Sequence, residues 1–243
     1  MRGNGAMDNV PSRLVWNNNL TAMATKPEGR RAWQALLSLS FLAVLLPVQL
    51  HAADPVQGDV ENGRAIAETD RKCIRCHGPN GVSDDPDTPH LAGQNPAYLL
   101  KQMRDFKSME RLGPNMFKRV RRLSEQQMAD IARWYASQTL PETRPVDRLA
   151  LRVPKLVHSG DPGRDIPPCE LCHARDGRSV SGDIPVLAGQ SADYLISAME
   201  YFREGVRTND PGEFMETITK KMSDTEYEVL ARYYAALGGR PAE

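Results

Sequence analysis

The chain has 243 residues, 40% of them apolar and 26% charged, with 31 basic side chains against 31 acidic ones. This length fits two small domains or one medium one. A formal charge of zero lacks the basic surplus of a nucleic-acid binder, so no nucleic-acid partner is expected.

At the N-terminus, Arg30 and Arg31 precede an apolar run from Ala32 to Leu50, which ends in Leu50-His51-Ala52-Ala53. Charge, hydrophobic stretch and small residues in that order read as a secretory signal. Residues 1–53 are therefore expected to be signal peptide and N-terminal extension, with the mature chain starting near Ala53 or Asp54 in the periplasm. The stretch before Arg30 is polar and unpatterned, which leaves Met7 and Met23 as alternative starts. Trp33, Gln34, Pro47 and Gln49 make the run a poor permanent span, with an uncleaved anchor as the alternative. Residues 1–53 hold five basic and two acidic side chains, so the remainder, with 26 basic and 29 acidic, carries −3.

Asp59 is placed to cap a helix from Val60 to Thr69, and the first cysteine pair follows in Cys73-Ile-Arg-Cys76-His77. The second pair, in Cys169-Glu-Leu-Cys172-His173, repeats the pattern 96 residues later and uses the last of the four cysteines. In a CxxCH segment the thiols lie one helical turn apart, so both can add to the vinyl groups of one porphyrin while the adjacent imidazole reaches the iron. A redox dithiol would instead sit in a βαβ pattern, and neither copy has strand-like alternation around it. One zinc held by four thiols is disfavoured by the long separation and by a histidine at the same place in each copy. Two covalently bound haem c groups are the expectation, on Cys73 and Cys76 and on Cys169 and Cys172, with His77 and His173 as iron ligands.

A tandem repeat organises the rest. Pro89, Leu91, Ala92, Gly93 and Gln94 recur 96 residues on as Pro185, Leu187, Ala188, Gly189 and Gln190, and Tyr98, Leu99, Met103 and Phe106 recur as Tyr194, Leu195, Met199 and Phe202. Further on the offset is 99, which pairs Met116 with Met215, Ser124 with Ser223 and Tyr135 with Tyr234. Each half reads as helices joined by loops. Asn95-Pro96 and Ser191 start equivalent helices. Ser124 to Gln127 and Ser223 to Glu226 form capping boxes, with Leu123 and Met128, or Met222 and Tyr227, as hydrophobic staples. Gly160-Asp161-Pro162 is a weaker start for a helix ahead of the second cysteine pair. Pro141-Glu142-Thr143-Arg144-Pro145 reads as a linker, giving a first domain at 54–140, a linker at 141–149 and a second domain at 150–243.

CxxCH, PxLAGQ, a Tyr-Leu helix and a methionine eight residues before a capping serine occur twice in order. In this the chain resembles the dihaem cytochrome c4 family over residues 55–238. The resemblance implies an all-α fold: two tandem cytochrome c-like helical domains related by pseudo-twofold symmetry. It also implies His77 and His173 as proximal ligands, Met116 and Met215 as distal ones, and the carbonyls of Pro89 and Pro185 as acceptors for the histidine ring N–H. A thioether is a soft ligand that favours Fe(II), as suits an electron carrier. Met103 and Met199 fall on an apolar helix face and read as core. His90, whose counterpart is Val186, reads as a loop residue and is the rival sixth ligand of the first haem. Trp134-Tyr135 and Tyr233-Tyr234 fit either haem-pocket walls or plain core. Phe202-Arg203-Glu204-Gly205 has the small residue the family tends to show, whereas Phe106-Lys107-Ser108-Met109 lacks it.

The expected function is a periplasmic electron carrier between a membrane quinol-oxidising complex and a terminal oxidase or reductase, with peripheral membrane association open and no enzymatic step. The alternative is a dihaem subunit of a larger oxidoreductase, such as a sulfide-oxidising flavocytochrome. An enzyme working at an open haem would need an iron without its methionine. Residues 54–140 hold 13 basic and 12 acidic side chains and residues 150–243 hold 11 and 15, so the halves differ in charge. Lys118, Arg119, Arg121 and Arg122 follow Met116 closely, where they are either a solvated face or a surface that steers an acidic partner.

Overall fold

A computed structural model describes residues 57–70, 73–139 and 152–238. The expected signal at 1–53 and the expected linker at 141–149 lie outside the described residues. The first half contains α1 (Val60–Ala65), α2 (Ile74–His77), α3 (Pro96–Ser108), α4 (Pro114–Val120) and α5 (Glu125–Ala136). The second contains α6 (Lys155–His158), α7 (Glu170–His173), α8 (Ala192–Arg203), α9 (Phe214–Thr219) and α10 (Asp224–Ala236). Among the described residues there are no strands, and two isolated β-bridges are the nearest approach to one.

Local chemistry explains the helix starts. Asp59 accepts from the Asn62 amide at 2.8 Å, and the helix it opens runs on as one wider π-turn over Ile66–Asp70. Both capping boxes form as the sequence predicts: Ser124 and Gln127 exchange bonds of 3.1 and 2.9 Å, and Ser223 and Glu226 bonds of 3.3 and 2.9 Å. The four staple residues Leu123, Met128, Met222 and Tyr227 are all buried.

Two starts differ from expectation. Asn95 precedes α3, but its side chain does not cap; it donates to the carbonyls of Ser181 and Ile184 in the other half, at 3.2 and 2.7 Å. Gly160-Asp161-Pro162 opens no full helix, only a 3-10 turn over Pro162–Arg164. The reason is that Asp161 and Ile166 exchange backbone bonds of 2.7 and 3.0 Å, which closes a tight loop before a helix can propagate. The one-turn helix α6 lies upstream instead.

Two cores result. Leu99, Met103, Met128, Ile131, Trp134 and Tyr135 belong to the first, and Leu195, Met222, Tyr227, Leu230 and Tyr234 to the second. The halves meet along a seam whose contacts are reciprocal. Gln94 donates to the Val186 carbonyl at 2.9 Å and accepts from its amide at 2.7 Å. Gln190 does the same to His90, at 3.0 and 2.9 Å. Arg111 reaches the Tyr194 hydroxyl and Arg207 the Tyr98 hydroxyl, each at 3.1 Å. Their backbones form an antiparallel bridge. When residue i touches j and the equivalent of i touches the equivalent of j, the relation is a twofold axis, so the expected pseudo-twofold arrangement is present.

Candidate haem-binding sites

Each CxxCH segment is a one-turn helix, which stacks its two cysteines and turns the histidine inward. Cys73 packs against the first core and Cys169 against the second, whereas Cys76 and Cys172 are exposed. Two pairs on two separate cores leave no shared four-thiol site. Burial pushes the Cys169 thiol up to about 11, so it is held as the neutral thiol.

His77 and His173 are both buried. Their Nδ1 atoms lie 3.0 Å from the Pro89 carbonyl and 3.2 Å from the Pro185 carbonyl, the partners that the resemblance implied. A carbonyl can only accept, so Nδ1 carries the proton and Nε2 keeps its lone pair for a metal. Burial holds both imidazoles below the usual histidine range, against the opposing pull of the proline carbonyls, and neutral imidazole is the form that binds iron.

The structure accounts for the remaining letters of the PxLAGQ string. The amides of Leu91 and Ala92 both donate to the Gly81 carbonyl, at 2.7 and 3.1 Å, and those of Leu187 and Ala188 match them on Gly177. Gly93 and Gly189 donate to the carbonyls of Tyr135 and Tyr234, each at 3.0 Å, tying the loop to the end of the last helix of its half. Gly81 has φ of +78°, and a side chain there would press within 2.6 Å of the Tyr135 ring, so glycine is needed on both counts. The string therefore orients a histidine, closes a loop, fastens it to a helix and joins the two halves.

Met116 sits in the first turn of α4, partly buried against the first core. Met215 sits in the first turn of α9, half-buried, with its amide donating to Asp210 at 2.7 Å. Met103 is buried in the first core and Met199 packs against the second, as the sequence predicts. His90 is more than a loop residue. Its Nδ1 accepts from the Ser83 amide at 3.0 Å, its backbone is clasped by Gln190, and burial holds its ring below the usual range.

The donor set fits a haem. Each half offers two thiols one turn apart, an imidazole with a protonated Nδ1, and a thioether. Each half also buries a tyrosine hydroxyl, that of Tyr135 or Tyr234, with no hydrogen-bond partner among the described residues. Burial pushes both phenols well above the ordinary tyrosine value. Orphaned polar atoms in equivalent places are expected where a bound group completes the site. Their rings lie 4.3 Å from Trp134 and 5.1 Å from Tyr233.

Sequence reasoning missed the seam arginines. Each guanidinium also stacks on a phenylalanine of its own half, Arg111 over Phe106 at 4.6 Å and Arg207 over Phe202 at 4.3 Å. The signal was present, since Arg111 and Arg207 are separated by the same 96 residues as the cysteine pairs.

The cytochrome c family model matches residues 60–138. Cytochrome c4 from Thiocapsa roseopersicina is 35% identical over 188 residues, covering 76% of this chain and 96% of that protein. A thiosulfate dehydrogenase electron acceptor from Stutzerimonas stutzeri is 34% identical over 200 residues, covering 81% and 92%. Among solved structures, reduced recombinant cytochrome c4 from Pseudomonas stutzeri aligns with a TM-score of 0.65 at 34% identity, covering 74% of this chain and 99% of that one.

Proposed function

The chain belongs to the cytochrome c4 family and is a dihaem electron-transfer protein, and from that premise we propose that it works as a periplasmic carrier between a membrane quinol-oxidising complex and a terminal oxidase or reductase. The two haem c groups supply one-electron Fe(III)/Fe(II) exchange. Cys73 and Cys76, and Cys169 and Cys172, attach them. His77 and His173 would bind the irons through Nε2, and Met116 and Met215 would each supply a thioether ligand. We assign one cytochrome domain to residues 54–140, the second to 150–243, and the join to 141–149. With histidine and methionine held to each iron, neither haem would keep a position open for substrate, which fits a carrier and not an enzyme. The observation that carries this reading is the duplicated, proline-oriented histidine, in two halves whose Met116 and Met215 match at the repeat offset.

The thiosulfate dehydrogenase electron acceptor among the relatives gives specific support to a second reading, in which the chain serves an oxidoreductase of reduced sulfur compounds. The two readings separate by rapid mixing. A carrier in the respiratory chain is reduced by quinol-oxidising membranes and reoxidised by a terminal oxidase. A sulfur-chain subunit is reduced by the sulfur-oxidising enzyme with which it co-purifies.

The exposed run Lys118, Arg119, Arg121 and Arg122 gives the first half a basic face beside Met116. Changing Arg119, Arg121 and Arg122 to glutamate should slow exchange with an acidic partner through the association rate, and the wild-type rate should fall as the Debye length shrinks below about 10 Å. A rate indifferent to salt and to the triple change assigns entry to another face.

A further inference from the structure

We propose that Asp210 sets the electron affinity of the second haem site below that of the first. The two halves present the same histidine and methionine, so any inequality between the sites must come from their surroundings. The repeat offset is 96 up to Arg111 and Arg207 and 99 from Met116 and Met215, which places three extra residues just before the second methionine. The first half passes from Arg111 to Met116 through Leu112, Gly113, Pro114 and Asn115, with no ionisable side chain. The longer second loop introduces Asp210.

The structure shows what this carboxylate does. One oxygen accepts from the Met215 amide at 2.7 Å. The other is buried and has no hydrogen-bond partner among the described residues. Among the described residues Asp210 makes no ion pair, and the two cations that bond its neighbour Asn209 have other partners. Arg207 bonds Asn209 at 2.9 Å and Tyr98, and Lys101 bonds Asp105 and the Asn209 carbonyl. A negative charge held against the backbone of an iron ligand, with little water to screen it, favours the ferric state, which carries one more positive charge than the ferrous. The charges that follow Met116 are of opposite sign. The first electron taken up would therefore rest in the first half, beneath its basic face.

This inference rests on Met215 as a ligand, and one experiment separates the two claims. In an optical redox titration of the haem-loaded protein, the wild type should resolve two one-electron components. Asp210→Asn keeps the shape and the acceptor for the Met215 amide but removes the charge. It should raise the reduced-to-oxidised ratio of the lower component at fixed ambient potential by about tenfold, equivalent to about 59 mV for one electron. The upper component and both near-infrared methionine bands should stay. Asp210→Glu keeps the charge and should leave the lower component near its wild-type position. Glu213→Gln, exposed in the same loop, should move neither component, because its charge is screened. A single wild-type component, an Asp210→Asn variant that moves neither component or moves the upper one, or loss of a methionine band in that variant overturns the proposal. If Met215→Ala keeps both bands, the ligand assignment itself fails.

Discussion

Met109 and Gly205 end α3 and the turn after α8 with the same backbone, φ of +69° in each. Glycine adopts this left-handed conformation without strain, whereas methionine is held there at a cost of about 1–2 kcal/mol. The missing small residue noted in the sequence is therefore tolerated and the turn is unchanged. Met109→Gly should stabilise the first half by about 0.5–1 kcal/mol net of the added chain entropy, read as a higher midpoint in thermal unfolding; an unchanged or lower midpoint contradicts the strain. For the iron ligands, Met116→Ala and Met215→Ala should each remove one of two near-infrared bands and lower one potential, because a polarizable sulfur is replaced by water or an adventitious group. Met103→Ala should keep both bands, since that side chain is buried in the core. At this scale the cysteines and histidines were legible from the spacing of the CxxCH motif, and the proline carbonyls only through the family resemblance. The orphaned Tyr135 and Tyr234 hydroxyls were not, since a missing partner becomes visible only once every neighbour is placed.

The helices of the two halves are equivalent in α3, α5, α8 and α10 but not in the segments that precede the cysteines. There the second half substitutes an arginine for a helix. Arg164 bonds Asp161 at 2.8 Å, Glu226 at 2.6 and 3.0 Å and the Lys221 carbonyl at 2.9 Å, pinning the 160–166 loop to the start of α10. The Arg164 guanidinium, opposed by burial, holds Glu226 down to about 2. Because the folded value is depressed, the pair stabilises fully above the ordinary glutamate range near about 4.3 and loses its effect as the pH falls toward about 2. Glu226→Gln keeps the capping box, so it isolates the charge. It should cost about 0.5–1 kcal/mol at pH 7, a modest figure because the pair is partly exposed, and the difference from wild type should close between about pH 4.5 and 2. A difference that persists in acid would assign the effect to packing. Capping boxes were readable because their residues are three apart. The Arg164 staple spans 62 residues, a separation that no local pattern encodes.

At the scale of the molecule, duplication supplies both the two haem sites and the seam between them. The repeated glutamine of PxLAGQ was visible in sequence, but its partners are Val186 and His90, which do not resemble each other, so backbone recognition hid the contact from any side-chain pattern. Asn95 stands at the N-cap of α3 as the sequence indicates, but its side-chain amide serves the seam and not the helix, which no local pattern shows. Gln94→Ala would leave the buried amide and carbonyl of Val186 without partners and should cost roughly 2 kcal/mol, with Gln190→Ala similar by symmetry. Thermal unfolding that changes by less than about 0.5 kcal/mol in either variant would show that the seam is held by other contacts. The central claim is that each half binds one haem covalently and ligates its iron with histidine and methionine. The most direct test is acidified-solvent extraction of the purified chain combined with a visible and near-infrared spectrum of the oxidised protein. Two haems retained per chain, two methionine-to-iron bands and no high-spin iron are predicted, whereas release of either haem or a high-spin signal from one half would contradict the account.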